Sequence, residues 1–157
     1  LEIPIVIHTG FTSRFKHVKY AQPVFVDKIA ADFQTLKIVL AHVGVPWTDE
    51  ALMVASKNPN VSVDVSGWQV FASRVPTKVQ QMVTEAKLLR VFPNRMLFGS
   101  DFPLFEYAMP LKEWVQFFSH LEISSDLVDQ GYPQVTDKDI EQVMWKNAAR
   151  LFFGETS

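Results

Sequence analysis

The sequence predicts an α/β protein: four βα units in series on a parallel sheet. Four β-rich runs, residues 3–8 (IPIVIH), 37–42 (KIVLAH), 61–65 (VSVDV) and 96–101 (MLFGSD), alternate with stretches of helical periodicity. Three of the runs are almost continuously apolar, as expected of strands buried on both faces of a parallel sheet. Their starts are spaced 34, 24 and 35 residues apart, close to the roughly 30 residues that a parallel crossover uses. The third run alternates apolar and polar residues, so it is the least typical of the four.

Each connecting segment reads as a helix. After the first run, Pro23 fits a first helical turn, and Val24, Ile29, Ala30 and Phe33 are expected as the buried stripe of a helix ending near Leu36. After the second, Thr48 reads as an N-cap with Asp49 and Glu50 in the first turn, where acids suit the helix dipole. Asn58-Pro59-Asn60 should stop that helix. After the third, residues 76–91 place Val79, Met82, Val83, Ala86 and Leu89 at three- and four-residue spacing. After the fourth, residues 111–121 put Leu111, Val115 and Phe118 on one face. Residues 123–135, punctuated by serines, Gly131 and Pro133, read as a loop. The last helix, residues 137–153, is capped by Thr136 with Asp139 three residues on, and Ile140, Val143, Met144, Asn147, Ala148, Leu151 and Phe152 share a face.

Composition narrows the functional classes. The 157 residues are 48% hydrophobic and 20% charged, enough apolar material for one core, so residues 1–157 are expected to form a single domain. Lysines and arginines are scattered and the net charge is -2, which argues against nucleic acid or a membrane surface as partner. With no cysteine, disulfides, thiolate metal sites and a cysteine nucleophile are excluded. The first residues carry no signal-peptide pattern, so a cytoplasmic location is expected, and the chain enters a strand-like run almost at once without an initiator Met, as a processed product, a truncated chain or a piece of a longer protein would.

All four runs end in polar or small residues, and α/β proteins place their chemistry in the loops at the C-terminal ends of parallel strands. His8-Thr9-Gly10, His42-Val43-Gly44, Ser66-Gly67-Trp68 and Gly99-Ser100-Asp101 would therefore share one rim. Two imidazoles and a carboxylate at equivalent strand ends are donors that suit zinc or a similar divalent ion. A flat sheet would hold the outer strands roughly 14 Å apart, at about 4.8 Å per strand, so convergence needs the curvature of a barrel. Arg14, Lys16 and Tyr20 follow the first strand and either offer contacts to a substrate carboxylate or form a solvated loop face. Trp47 and Trp68 are candidates to stack on a planar substrate, with a place in the core as the alternative reading. His17 and His120 lack a strand-end setting and read as ordinary surface or helix residues, and Glu106 reads equally as a rim acid or a helix-start carboxylate.

The blocks PIVIHTG, IVLAHVGVPW, NVSVDVSGW, LFGSDFP and NAARLF, in this order, resemble the amidohydrolase-related branch of the metal-dependent hydrolases, the group that includes aminocarboxymuconate-semialdehyde decarboxylase. The resemblance covers nearly the whole chain and implies the C-terminal half of a (β/α)8 TIM barrel, with the present strands as the fifth to eighth. It implies a metal-dependent hydrolase acting on a small amide, ester or carboxylic acid, or a decarboxylase. His8 and Asp101 would bind a divalent metal, zinc first among candidates. Asp101 would also handle protons, and His42 would bind a second metal or stabilise negative charge on the substrate. Trp47, Trp68 and Arg14 would contact the substrate.

The family's first-strand His-X-His pair has no counterpart here. Four βα units leave two sheet edges and an apolar interior to cover. A homodimer, a partner supplying the N-terminal half, or a flatter open sheet would each do so. A non-catalytic half-barrel that works by association is the rival expectation.

Overall fold

The computed structural model describes residues 3–12 and 16–154. Its sheet has four parallel strands in sequence order, β1 (Ile5–Ile7), β2 (Ile38–Leu40), β3 (Val61–Asp64) and β4 (Met96–Leu97). Ile7, Leu40, Val63 and Met96 stand side by side across the sheet, as do Ile5, Ile38 and Val61 one step earlier. The inner strands and Met96 face a core shared with the helices, whose largest buried side chains include Trp68, Trp114, Phe118, Leu52 and Met82. By the alternation of strand side chains, Val6, Val39, Ser62, Asp64 and Leu97 lie on the other face.

All four strands stop before the last residues of the β-rich runs, which leave the ladder to build the rim. The departure is clearest after β4, where the backbone finds partners in helices instead of strands. Gly99 O accepts from Trp114 Nε1 at 2.8 Å and Ser100 O from Gln69 Nε2 at 2.5 Å.

The helices are α1 (Val24–Asp32), α2 (Thr48–Lys57), α3 (Gln69–Ala72), α4 (Pro76–Leu88), α5 (Leu111–Ser119), α6 (Ser125–Asp129), α7 (Asp137–Glu141) and α8 (Asn147–Phe153). Several side chains depart from the sequence reading. Helix α1 buries Val26 and Ala30, not the wider stripe, and Val24, Ile29 and Phe33 are exposed. It packs against α2, and only the narrow i, i+4 stripe of Val26 and Ala30 is covered. Thr48 is the first residue of α2 and makes no cap bond, and Trp47 is the cap residue. Glu50 instead reaches across and accepts from Val24 N at 2.7 Å, at the start of α1. In α5 Trp114 and Phe118 are buried while Val115 faces out. The 123–135 segment contains the short helix α6, and α3 was not anticipated.

The last helix is continuous through a π-helical turn at Gln142–Lys146. Thr136 and Asp139 form the expected capping box, and Lys87 bonds the Asp139 carboxylate at 2.7 Å. Burial pushes the Asp139 pKa up, but the Lys87 and Thr136 hydrogen bonds outweigh it and hold the carboxyl below its ordinary value. In the π turn Asn147 N bonds Gln142 O, which leaves Val143 O free to accept from Phe98 N at 2.9 Å. Buried Asn147 donates its amide to Pro93 O at 2.6 Å and Met96 O at 2.7 Å. The terminal NAARLF block thus sews the last helix to β4, the strand that carries Asp101 to the rim. Among the described residues no helix is long and apolar enough to cross a membrane.

Replacing Asn147 with Ala strands two carbonyls at a buried site, so stability should fall by about 2 kcal/mol. Urea unfolding of the variant against the parent chain measures this, and a change under about 0.5 kcal/mol, the range of a surface substitution, would contradict it.

Candidate functional site

The strand ends open onto one cleft of about 1020 Å³, lined by residues that include His8, His42 and Asp101. His8 follows β1 directly and is exposed, with its Nδ1 3.1 Å from His42 Nε2 and the two rings edge to face. His42 sits in a tight turn, Ala41–Gly44, where His42 (φ 64°) and the β-branched Val43 (φ 44°) both take left-handed backbone. Such conformations cost free energy and persist only where the surroundings over-determine them. Asp101, exposed, is left-handed too (φ 51°), and its carbonyl accepts from Leu104 N at 2.9 Å.

The end of β3 supplies what holds His42. Asp64 Oδ1 accepts from His42 N at 3.2 Å, from Ser66 N at 2.9 Å and from the Ser66 hydroxyl. Trp68 Nε1 donates to His42 O at 2.8 Å, so both backbone polar groups of His42 are fixed by one loop. Its Nδ1 lies 3.0 Å from Ser66 O and 2.9 Å from Ser66 Oγ. The loop can come this close only because Gly67 lacks a side chain: at φ 76° an added Cβ would lie 3.3 Å from His42 Nδ1 and 3.2 Å from Phe105. Gly10 plays the same part beside β1, where a Cβ would meet Val45 O at 2.3 Å. Thr9, buried, bonds Ala41 O at 2.7 Å and ties the two histidine-bearing turns together.

Partial desolvation of its ring within the cleft, first, and the neighbouring His42 both hold the His8 pKa below the ordinary imidazole value. The Phe11 backbone and the Asp101 and Asp64 carboxylates pull the other way without overcoming them. His8 is therefore biased towards the neutral ring that a ligand or a base requires.

The structure brings His8, His42 and Asp101 into one cleft and keeps the tryptophans out of it. Trp68 is 1% exposed, part of the core under the rim, and its polar atom is spent on His42. Trp47 caps α2 and does not line the cleft. The aromatic lining comes from Phe11, Tyr20, Phe71, Phe105 and Tyr107 instead. Lys16 and Tyr20 line it as candidate contacts, and so does His17, which packs edge to face on Tyr20. Arg14 lies outside the described residues. Glu106 accepts from Leu111 N at 2.7 Å and so serves the start of α5. His120 stays at the end of α5, bonded to Gln116 O.

The sequence reading puts Ser66 on the rim but gives neither Ser66 nor Asp64 a part in holding the site. Their signal was present: an Asp two residues before a Ser at a strand end is an Asx-turn pattern.

Imidazole and carboxylate are suitable donors for a divalent metal, yet among the described residues no three His, Asp or Glu side chains gather closely enough to hold one. His8 and Asp101 therefore fit a metal in kind but not in number.

A family model described as amidohydrolase matches residues 1–154. A curated relative, Protein fluG of Emericella nidulans, is 29% identical over 153 residues, 95% of this chain and 16% of that protein. Among solved structures, an uncharacterised TIM-barrel protein from Bordetella bronchiseptica is 26% identical with a TM-score of 0.66, over 96% of this chain and 45% of that one. A protein assigned as a metal-dependent hydrolase from Lactobacillus casei shares the fold at a TM-score of 0.68 and 23% identity, over 98% of this chain and 40% of that one. An amidohydrolase from Burkholderia multivorans with bound Zn shares it at 0.53 and 23%, over 83% and 48%. The chain thus spans a small part of its curated relative and a little under half of the solved barrels it matches, and its four parallel βα units correspond to half of such a barrel. The match to the family model over nearly its full length shows that this chain belongs to the amidohydrolase family.

Proposed function

We propose that the chain provides the strand-end half of a metal-dependent hydrolase site acting on a small amide, ester or carboxylic acid. The observation that carries this reading is the common cleft of His8, His42 and Asp101 at the C-terminal ends of parallel strands. His8 and Asp101 would be two ligands of a divalent ion, with zinc favoured by the Zn-bound Burkholderia amidohydrolase; the remaining ligands would come from outside the described residues. Such an ion lowers the pKa of water and polarises a carbonyl.

The chain's own residues do the rest. The exposed Asp101 carboxylate accepts a proton at the cleft surface, and His42, pinned at its backbone, is the second catalytic group. The cleft is mostly apolar, and Phe105, Tyr107 and Phe11 along its wall suit a small unsaturated or aromatic acyl group. Lys16, and Arg14 by its sequence position, would receive a substrate carboxylate. Loss of carboxylate in place of hydrolysis is the alternative within this class, and release of carbon dioxide separates the two.

A second reading has its own observation. The edge strand β1 leaves Ile5 and Val6 exposed, and the four strands are half of a barrel. Pairing with a second copy of this chain would supply eight strands and cover that edge. Light scattering on the purified chain, with metal analysis of the same peak, tests both readings. A zinc-bearing dimer supports a site completed by association, and a metal-free monomer refutes pairing with a second copy.

Two outcomes are expected at the site. Asp101→Asn should reduce turnover of a small amide or ester at least 100-fold without altering the fold, since a general acid-base group contributes about 10²–10⁴. Unchanged turnover would sink the assignment. The NMR titration midpoint of His8 should lie below the ordinary imidazole value and rise in His42→Gln, which removes a repelling neighbour but not the partial desolvation. Because this folded-state pKa is depressed, the His8 contribution to stability is fully present above the ordinary imidazole value and is lost as pH falls through the depressed one.

A further inference from the structure

The hydrogen bonds around His42 determine which of its nitrogens carries the proton. An ionised Asp64 can only accept, so the Ser66 hydroxyl spends its single proton on Asp64 Oδ1, a charge-assisted bond. The Ser66 oxygen then presents lone pairs to His42 Nδ1, and the Ser66 carbonyl on the same nitrogen is an acceptor by nature. Two acceptors on Nδ1 require a proton there. In the neutral ring Nε2 is then a bare lone pair, and its partner, His8 Nδ1 at 3.1 Å, must donate. His8 in turn keeps its lone pair on Nε2.

From this chain of donors we infer that Asp64, acting through the Ser66 hydroxyl, is a positioning residue that sets the tautomers of both His42 and His8. Asp64 does not itself line the cleft, and it bonds the His42 backbone but not the His42 ring. It works at one remove, by making Ser66 an acceptor towards His42. Without the carboxylate, the hydroxyl is free to turn its proton onto His42 Nδ1, and the ring would place its own proton on Nε2. The tautomer also decides what His42 offers. A neutral His42 held with Nδ1 protonated accepts a proton at Nε2 and has none there to donate to an oxyanion, the reverse of the charge-stabilising role implied by the family resemblance. His8, with Nδ1 donating sideways, keeps Nε2 free as ligand or base.

The inference deepens the site reading proposed above but depends on neither metal nor substrate, so the two fail separately. The test is a long-range ¹H–¹⁵N correlation spectrum of the ring nitrogens in the ¹⁵N-histidine-labelled chain, with chelator, at about pH 8, above the ordinary imidazole range. Each ring is assigned by its loss in the corresponding His→Gln variant. In the parent chain His42 and His8 should both show a protonated Nδ1 and a bare Nε2. Asp64→Ala should move the His42 tautomer ratio roughly tenfold towards protonated Nε2, the size of one lost hydrogen bond. Adding Ser66→Ala to that variant removes the competing donor and should restore the parent ratio, which a merely structural role for Asp64 would not do. Asp64→Asn, whose amide oxygen can take the same three bonds, should keep the parent ratio. A bare His42 Nδ1 in the parent chain, an unchanged ratio in a folded Asp64→Ala variant, or no recovery in the double variant would each overturn the inference. If Asp64→Ala does not fold, the parent spectrum decides alone.

Discussion

Much of the rim hangs on one carboxylate oxygen. Asp64 Oδ1 binds the backbone amide of His42, the backbone amide of Ser66 and the Ser66 hydroxyl, and so fastens the turn after β2 to the end of β3. The turn it fastens is strained, with left-handed backbone at His42 and at a β-branched valine. Strain of this kind is kept only where several bonds act together, and here the Trp68 indole on His42 O and the Thr9 hydroxyl on Ala41 O complete the set. A half-buried carboxylate with three donors is also well satisfied, which removes the cost of placing Asp64 on a strand.

Two glycines and two tryptophans serve the same end by different means. Gly10 and Gly67 let backbone approach where a Cβ would collide with Val45 O or crowd His42. Trp68 and Trp114 are fully buried, yet each sends its indole N–H to a carbonyl of a rim segment, His42 O and Gly99 O. Their bulk fills the core beneath the rim and their single donors register the loops above it, so core packing and site geometry are coupled through the same side chains.

The sheet is legible because its strands write themselves into the sequence as short β-rich runs at βα spacing, although only β2 and β4 are buried throughout and β1 leaves Ile5 and Val6 exposed at the edge. Placement of His8, His42 and Asp101 on one rim needed only the rule that parallel strands end on the same side. What escaped the reading depends on contacts distant in sequence. The stripe of α1 is narrower than its apolar pattern predicts, since Val24, Phe25 and Ile29 stay exposed beyond its contact with α2. The chemistry of Trp68 suits a substrate contact, whereas its size makes it core, and Trp47 is taken up at the start of α2. The shortness of β4 came from helix side chains and a π turn capturing its backbone groups, which no local pattern near residue 98 announces.

The division of labour along the chain follows from these contacts. Strand β4 contributes only two residues to the ladder, so the position of Asp101 is governed less by the sheet than by the helices that take up the carbonyls and amides beyond it. Val143 O is available to Phe98 N because the π turn shifts the next amide onto Gln142 O, and Asn147 then holds Pro93 and Met96 on the other side. The C-terminal helix is thus an extra strand neighbour for β4 in hydrogen-bonding terms. His8 and His42 are held by β-strand ends and by each other, while the residues leading to Asp101, Phe98 to Ser100, are held by α3, α5 and the last helix. The two sides of the cleft therefore rest on different parts of the fold, and a change in the C-terminal helix can move the carboxylate while leaving the histidine pair in place.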